Sequence, residues 1–142
     1  MIPTEPGRAM GSWQRVVMVL LIVMMSLGSP AGAATARVPV VELLRVQVPA
    51  EQRQAWLEAE LGSWEPWLAQ KEGFLSRELF WDPKHQEATL LIRWASRDQW
   101  HSIPASEVQA VQKHFEALAR QATGQPKGNP FPLVFAGELQ PQ

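Results

Sequence analysis

From Val40 to Val48 the chain reads Val-Val-Glu-Leu-Leu-Arg-Val-Gln-Val, rich in β-branched residues and partly alternating. That is a strand pattern, and Pro49 ends it. Over Ala50 to Gln70 the period lengthens: Leu57, Leu61, Trp64 and Leu68 recur at spacings of four, three and four, the stripe of an amphipathic helix. Gly62 and Pro66 should kink or split this helix, with Ser63 placed to cap a second short segment. Gly73 closes it. Phe74 to Trp81 reads as a second strand, Asp82 to Gln86 has the composition of a hairpin loop, and Glu87 to Ala95 reads as a third strand. At Ser96 the period changes again. Ser96-Arg97-Asp98-Gln99 fits a capping box that opens a short turn through Trp100, which Pro104 stops, and Ser106-Glu107-Val108-Gln109 fits a second box. Val108, Val111, Phe115, Leu118 and Ala122 then repeat at three, four, three and four, the clearest helix in the chain. A Gly/Pro-rich loop over Thr123 to Pro130 leads to a last strand, Phe131 to Leu139.

Strand, helix, strand, strand, helix, strand is the ferredoxin-like βαββαβ order of the α+β class. It predicts a four-stranded antiparallel sheet with two helices on one face. The wholly apolar sets, Ala88, Leu90, Ile92 and Trp94 on the third strand and Leu44, Val46 and Val48 on the first, are assigned to the helix-covered side. The mixed sets, Thr89, Leu91, Arg93 and Ala95 with Val41, Leu43, Arg45 and Gln47, are assigned to the open side. An open face this apolar predicts a homodimer, sheet facing sheet, closing as an α/β barrel.

The first 36 residues follow a different logic. Arg8 and Arg15 precede an almost unbroken apolar run of twelve, Val16 to Leu27, too short to span a bilayer well, where about 20 residues are needed. Gly28 and Pro30 break it, and Ala31-Gly32-Ala33 and Ala34-Thr35-Ala36 are small-x-small sites, so a signal peptide cleaved before Ala34 or Arg37 is predicted. The alternative is an uncleaved N-terminal anchor, the one membrane contact the sequence suggests. The destination would be the periplasm, a thylakoid lumen or the exterior. Residues 37–142 would then form one domain of 106 residues.

Composition narrows the chemistry. After cleavage 13 acidic and 11 basic residues remain, a net charge of −2, without a basic stripe, so nucleic acid is excluded as a partner. All five Met lie at or before Met25 and there is no Cys, so the domain lacks sulfur altogether, which excludes disulfides, cysteine catalysis and thiolate metal sites. No pair of His stands at helical ligand spacing with a carboxylate, and no metal site is predicted.

Several side chains carry candidate chemistry. Arg45 and Arg93 share the mixed face, with Glu78 beside Arg93. A desolvated cluster of this kind would hold an anionic or enolate-like ligand, or serve as an interface ion network. Glu42 is either a proton acceptor at the mouth of the first strand or, the preferred reading, the partner of an Arg across the dimer. Trp94 and Trp100 bracket the strand-to-helix junction, where they would stack on a planar ligand or simply fill the core, as Trp56, Trp64 and Trp67 should. Trp81, at a strand end, could be interfacial. His85 falls in the hairpin loop, and His101 points off the apolar stripe formed with Ile103. His114 sits at the edge of the Val111, Phe115 and Leu118 stripe. From there it could reach the space between helix and sheet as a general base or an axial haem ligand, or simply bond a backbone partner.

Glu42-Leu43-Leu44-Arg45-Val46 before a proline, Gly73-Phe74-Leu75 opening the second strand, Asp82-Pro83 in the hairpin, and Arg93-Trp94-Ala95-Ser96-Arg97-Asp98-Gln99-Trp100 across the strand-to-helix junction together resemble the dimeric α/β barrel superfamily that includes the antibiotic biosynthesis monooxygenases. The narrower resemblance is to a group of small exported cyanobacterial proteins related to it. It spans nearly all of Val38 to Leu139. It implies a homodimer with cavities between sheet and helices, but not one reaction, since members oxidise polyketide-like aromatics without a cofactor, cleave haem or isomerise small acids. Haem-degrading relatives combine a second-helix His with a Trp and a first-strand Asn. Trp100 and His114 are present here and the Asn is not, which leaves haem binding or degradation a minor reading.

Two expectations from different classes result. One is a non-catalytic dimeric protein holding a small hydrophobic or anionic ligand without a cofactor. The other is a cofactor-independent monooxygenase or isomerase of a small aromatic or enolisable compound, with His114 as base and Arg45, Arg93 and the Trp residues positioning it.

Overall fold

The computed structural model describes residues 37–142; the signal segment predicted over 1–36 lies outside the described residues. β1 (Val40–Gln47) runs up to Pro49 and a single 3-10 turn (Ala50–Gln52). It is followed by α1 (Arg53–Gly62), α2 (Trp64–Leu68), β2 (Phe74–Asp82), β3 (Glu87–Trp94), α3 (Arg97–His101), α4 (Ala105–Thr123) and β4 (Leu133–Leu139). The strands lie in the order β2-β3-β1-β4, every pair antiparallel. This is the ferredoxin-like α+β fold that the element order predicted.

Register explains which face is covered. Val40, Glu42, Leu44 and Val46 on β1 stand opposite Trp94, Ile92, Leu90 and Ala88 on β3, and Arg77, Leu79 and Trp81 on β2 continue the same rows. These side chains face the helices and split into two apolar clusters. One gathers Val48, Trp56, Ala59, Ala88, Leu90, Phe115 and Phe131; the other gathers Val40, Leu68, Ile92, Trp94 and Ile103. Leu44 and Trp64 touch both.

The helices depart from their expected stripes in instructive ways. Leu61 is 59% exposed, and α1 buries Trp56, Ala59 and Glu60 instead. The backbone breaks at Ser63, whose hydroxyl donates back to the Ala59 carbonyl and makes no cap for α2. That break rotates the helical phase, so the Leu57–Leu61 spacing never becomes one continuous face. Gly62 at this break permits close packing, since a Cβ there would meet Leu118 Cδ1 of α4 at 2.9 Å. Ser96 caps α3 as its box predicted, accepting from the Gln99 amide at 3.2 Å. The second box is displaced: Pro104 occupies the cap position and α4 starts at Ala105, because proline suits the start of a helix, where no N–H partner is needed. α4 ends at Gly124 with φ 73°, a left-handed C-cap. β4 begins at Leu133 rather than Phe131, whose ring is buried against Phe115.

In the β2–β3 hairpin Asp82 Oδ1 accepts from the amides of Lys84 and His85, at 2.8 and 3.2 Å. His85 adds a side-chain contact to Asp82 while staying 60% exposed, which raises its pKa and lowers that of Asp82. Trp81 faces the covered side, its indole donating to the Val48 carbonyl at 3.0 Å, so it is not free to meet a partner across the open face. Among the described residues no helix is long and apolar enough to cross a membrane.

Candidate functional site

A cavity of about 130 Å³ lies between the covered face of the sheet and the helices, where the two apolar clusters do not quite meet. Its walls are mainly Leu44, Val46, Leu90, Ile92, Trp64, Trp67, Trp94, Trp100, Phe115 and Phe131. Four charged side chains, Glu42, Glu60, Arg77 and Glu116, also line it. Buried charges are expensive unless answered, so their partners define what the cavity can do.

Arg77 comes from the middle of β2 with only 3% of its side chain exposed, and it pairs with the equally buried Glu60 of α1. Trp56, one turn earlier on α1, donates its indole N–H to the other Glu60 oxygen at 3.0 Å. Glu65 of α2 receives a second Arg77 N–H at 3.1 Å. One guanidinium thus ties β2 to both helices of the first helical layer. Burial raises the Glu60 pKa, opposed by the Arg77 charge and hydrogen bond and by the Trp56 hydrogen bond.

Glu42 is different. It is 6% exposed on β1, and among the described residues the one hydrogen bond its side chain makes is from the Trp94 indole at 3.3 Å. Burial pushes its carboxyl up to about 7 from an ordinary 4.5, against the opposing pull of the Trp94 hydrogen bond and the Arg77 charge. The site therefore holds a carboxyl that exchanges its proton near neutrality. Trp94, its donor, stacks nearly parallel with Trp100, 12° apart with centroids at 6.5 Å. At the other wall Glu116, 2% exposed, accepts from Gln112 at 2.9 Å and lies 3.6 Å from Arg120.

The residues singled out in the sequence divide between this cavity and elsewhere. Trp94 and Trp100 line it. Arg45, Glu78 and Arg93 lie on the open face but in two separate ion pairs. Arg93 pairs with Glu78 at 3.4 Å with both side chains nearly half exposed, whereas Arg45 pairs with Glu87 at 3.6 Å and covers the Phe135 ring. Arg45 lies four positions along β1 from Val41, the residue opposite Arg93, roughly 13 Å along a strand, which is why they do not meet. His114 is exposed and contacts the Gly62 carbonyl at 3.2 Å, on the flank of α4 that faces α1 rather than the sheet. The pairing of Trp100 with His114 that a haem reading needs is therefore absent from the cavity walls. Glu42 points into its own domain's cavity and not across an open face towards a partner's Arg. His101 is half-buried, packs edge-on against Trp100, and has its pKa lowered by burial and by Arg97. Among the described residues no group of His, Asp or Glu could hold a metal ion.

Reasoning from the sequence missed the Arg77–Glu60 pair and the placement of Glu42. The signal for Glu42 was available: it shares the parity of Leu44, Val46 and Val48, the set assigned to the covered face.

Among solved structures, a candidate antibiotic biosynthesis monooxygenase from Bordetella bronchiseptica matches with a TM-score of 0.51 and 15% identity, covering 74% of this chain and 98% of that one. This chain shares the ferredoxin-like α+β fold of that structure. At that identity the likeness is one of fold alone. The ActVA-Orf6 monooxygenase of Streptomyces coelicolor, solved with nanaomycin D, matches at 20% identity and a TM-score of 0.47, over 75% of this chain and 89% of that one. SnoaB of Streptomyces nogalater, a cofactor-independent oxygenase, matches at 16% identity and 0.47, over 74% and 94%. No protein-family model and no curated protein matches the chain.

The Glu42 shift has a measurable consequence. Below about 4.5 the carboxyl is neutral whether the chain is folded or not; between about 4.5 and 7 only the unfolded chain ionises, so its contribution to stability is lost as pH rises and levels off above 7. In urea unfolding, the stability of Glu42→Gln relative to wild type should therefore rise by about 3 kcal/mol from pH 4 to pH 8. A flat difference would mean that Glu42 ionises like a surface carboxyl.

Proposed function

We propose that this protein binds a small planar aromatic compound carrying an ionisable hydroxyl group, in the cavity between sheet and helices. The observation that carries this reading is the Glu42 carboxyl, poised near neutrality in an apolar chamber beside the near-parallel Trp94 and Trp100. Cavities of roughly 150 Å³ hold one aromatic ring, and the 130 Å³ here is close to that size. An indole face suits an aromatic ring, and Glu42 is within the same walls to accept or return the hydroxyl proton. Arg45, Glu78, Arg93 and His114 take no part in this version of the site.

A catalytic reading is favoured by the same pKa. Ionised Glu42 would take the proton of a bound phenol or enol, leaving a neutral acid on the protein and an electron-rich oxyanion on the ligand, which the nearby Arg77 charge favours. This is the first step that a cofactor-independent monooxygenase or an isomerase acting on such a compound requires. It moves the base from His114 to Glu42. The narrower resemblance to small exported cyanobacterial proteins, and the export itself, belong to this proposal on the strength of the sequence motifs.

Binding should be visible directly, because Trp64, Trp67, Trp94 and Trp100 all line the cavity. Titration with 4-ethylphenol should quench tryptophan fluorescence saturably, and Trp100→Ala should weaken the apparent affinity about 10-fold. Absence of saturable quenching, or a Trp100→Ala variant that binds equally well, would overturn the reading.

The homodimer belongs to the same proposal. Phe80 (50% exposed), Phe135 (41%) and Leu139 (45%) stand on the open face of the sheet, a large apolar surface for a lone domain. Sedimentation equilibrium should give twice the chain mass, and Phe80→Asp should halve it; a monomeric wild-type protein would refute the dimer.

A further inference from the structure

α4 presents an unusual face to the sheet. Besides Ala105, Val108 and Phe115, the residues it contributes to the cavity wall are Gln109, Gln112 and Glu116, a polar stripe on one flank of a helix that otherwise buries apolar residues. Gln112 is tied to Glu116. Gln109 is half-buried, and among the described residues its side-chain amide makes no hydrogen bond. Neither polar atom of that carboxamide is sealed off without a partner, so both its donor and its acceptor stay open to a ligand oxygen. The core needs no such group there, since Leu or Met would fill the same volume.

We infer that Gln109 reads a second oxygen on the ligand, so that the compound bound in the cavity is a single aromatic ring with a hydroxyl group facing Glu42 and a carbonyl or second hydroxyl elsewhere on the ring, hydrogen-bonded to the Gln109 carboxamide. This rests on the aromatic-hydroxyl reading of the cavity and adds a specificity element to it. The amide offers both an N–H donor and a C=O acceptor, so it suits a ketone, an aldehyde or a hydroxyl group. Gln109 is a binding residue in this assignment. The proton transfer stays with Glu42.

The test compares two probes of similar shape, 4-ethylphenol and 4-hydroxyacetophenone, which differ by one carbonyl oxygen, titrated into the wild-type protein and into Gln109→Met by calorimetry. Wild type should bind 4-hydroxyacetophenone about 5-fold more tightly, the ratio expected of one neutral hydrogen bond. Gln109→Met should erase that preference, bringing the ratio between the two probes to about 1. If wild type binds both equally, or if the preference survives in Gln109→Met, the role of Gln109 is refuted and the cavity reading stands. If wild type binds neither probe, both fall. The wild-type ratio does not depend on how well the variant folds.

Discussion

A guanidinium placed on the covered face of a sheet has to be answered from the layer above it, and the Arg77–Glu60 pair is that answer here. It fixes where α1 lies, because Glu60 must stand over β2, and Trp56 one turn back locks the carboxylate's other oxygen. It also requires the break at Ser63, after which α2 delivers Glu65 to the same guanidinium. With Glu60 and Glu65 committed to Arg77, the Glu42 carboxyl has among the described residues only the Trp94 indole as a hydrogen-bond donor, and a share of the Arg77 charge. Desolvation prevails over both, and the carboxyl keeps its proton to about pH 7. The same ion pair that positions the helices thus leaves one acid in the cavity available for chemistry.

The cavity itself follows from how the two layers are propped apart. Large rings, Trp64 and Trp67 from α2, Trp94 from β3 and Trp100 from α3, meet edge-on or stacked rather than interlocking as aliphatic side chains do. An apolar chamber with a few polar groups at defined positions is what a small-molecule site needs. The sheet's other face carries a different kind of group, ion pairs such as Arg93–Glu78 set among the phenylalanines Phe80 and Phe135.

Much of the fold could be read from periodicity because strand parity is rigid. The alternation in Ala88, Leu90, Ile92 and Trp94 assigned the covered face, and the Ser96 box placed α3 within a residue. The first helical region was harder to read, because its phase depends on a break at Ser63 whose cause, a buried arginine on a strand ten or more positions later, has no local signature. The site suffered from a related error of weighting. Arg45 and Arg93 lie in the mixed sets assigned to the open face, where the structure places them, whereas Glu42 was expected to meet a partner's Arg and Arg77 was not singled out, because the burial of both is sustained by partners distant in sequence. His114 attracted notice as a titratable group near an apolar stripe. A helix turns 100° per residue, and that angle directs it to the Gly62 carbonyl on α1 instead of to the sheet.

The central claim is that Glu42 is a carboxyl held neutral to about pH 7 by burial between sheet and helices. Its most direct test is a ¹³C-carboxyl NMR titration of the Glu-labelled protein, with the Glu42 resonance assigned by its loss in Glu42→Gln. A midpoint near pH 7 is the predicted result; a midpoint near 4.5, the ordinary value for a glutamate, would contradict it.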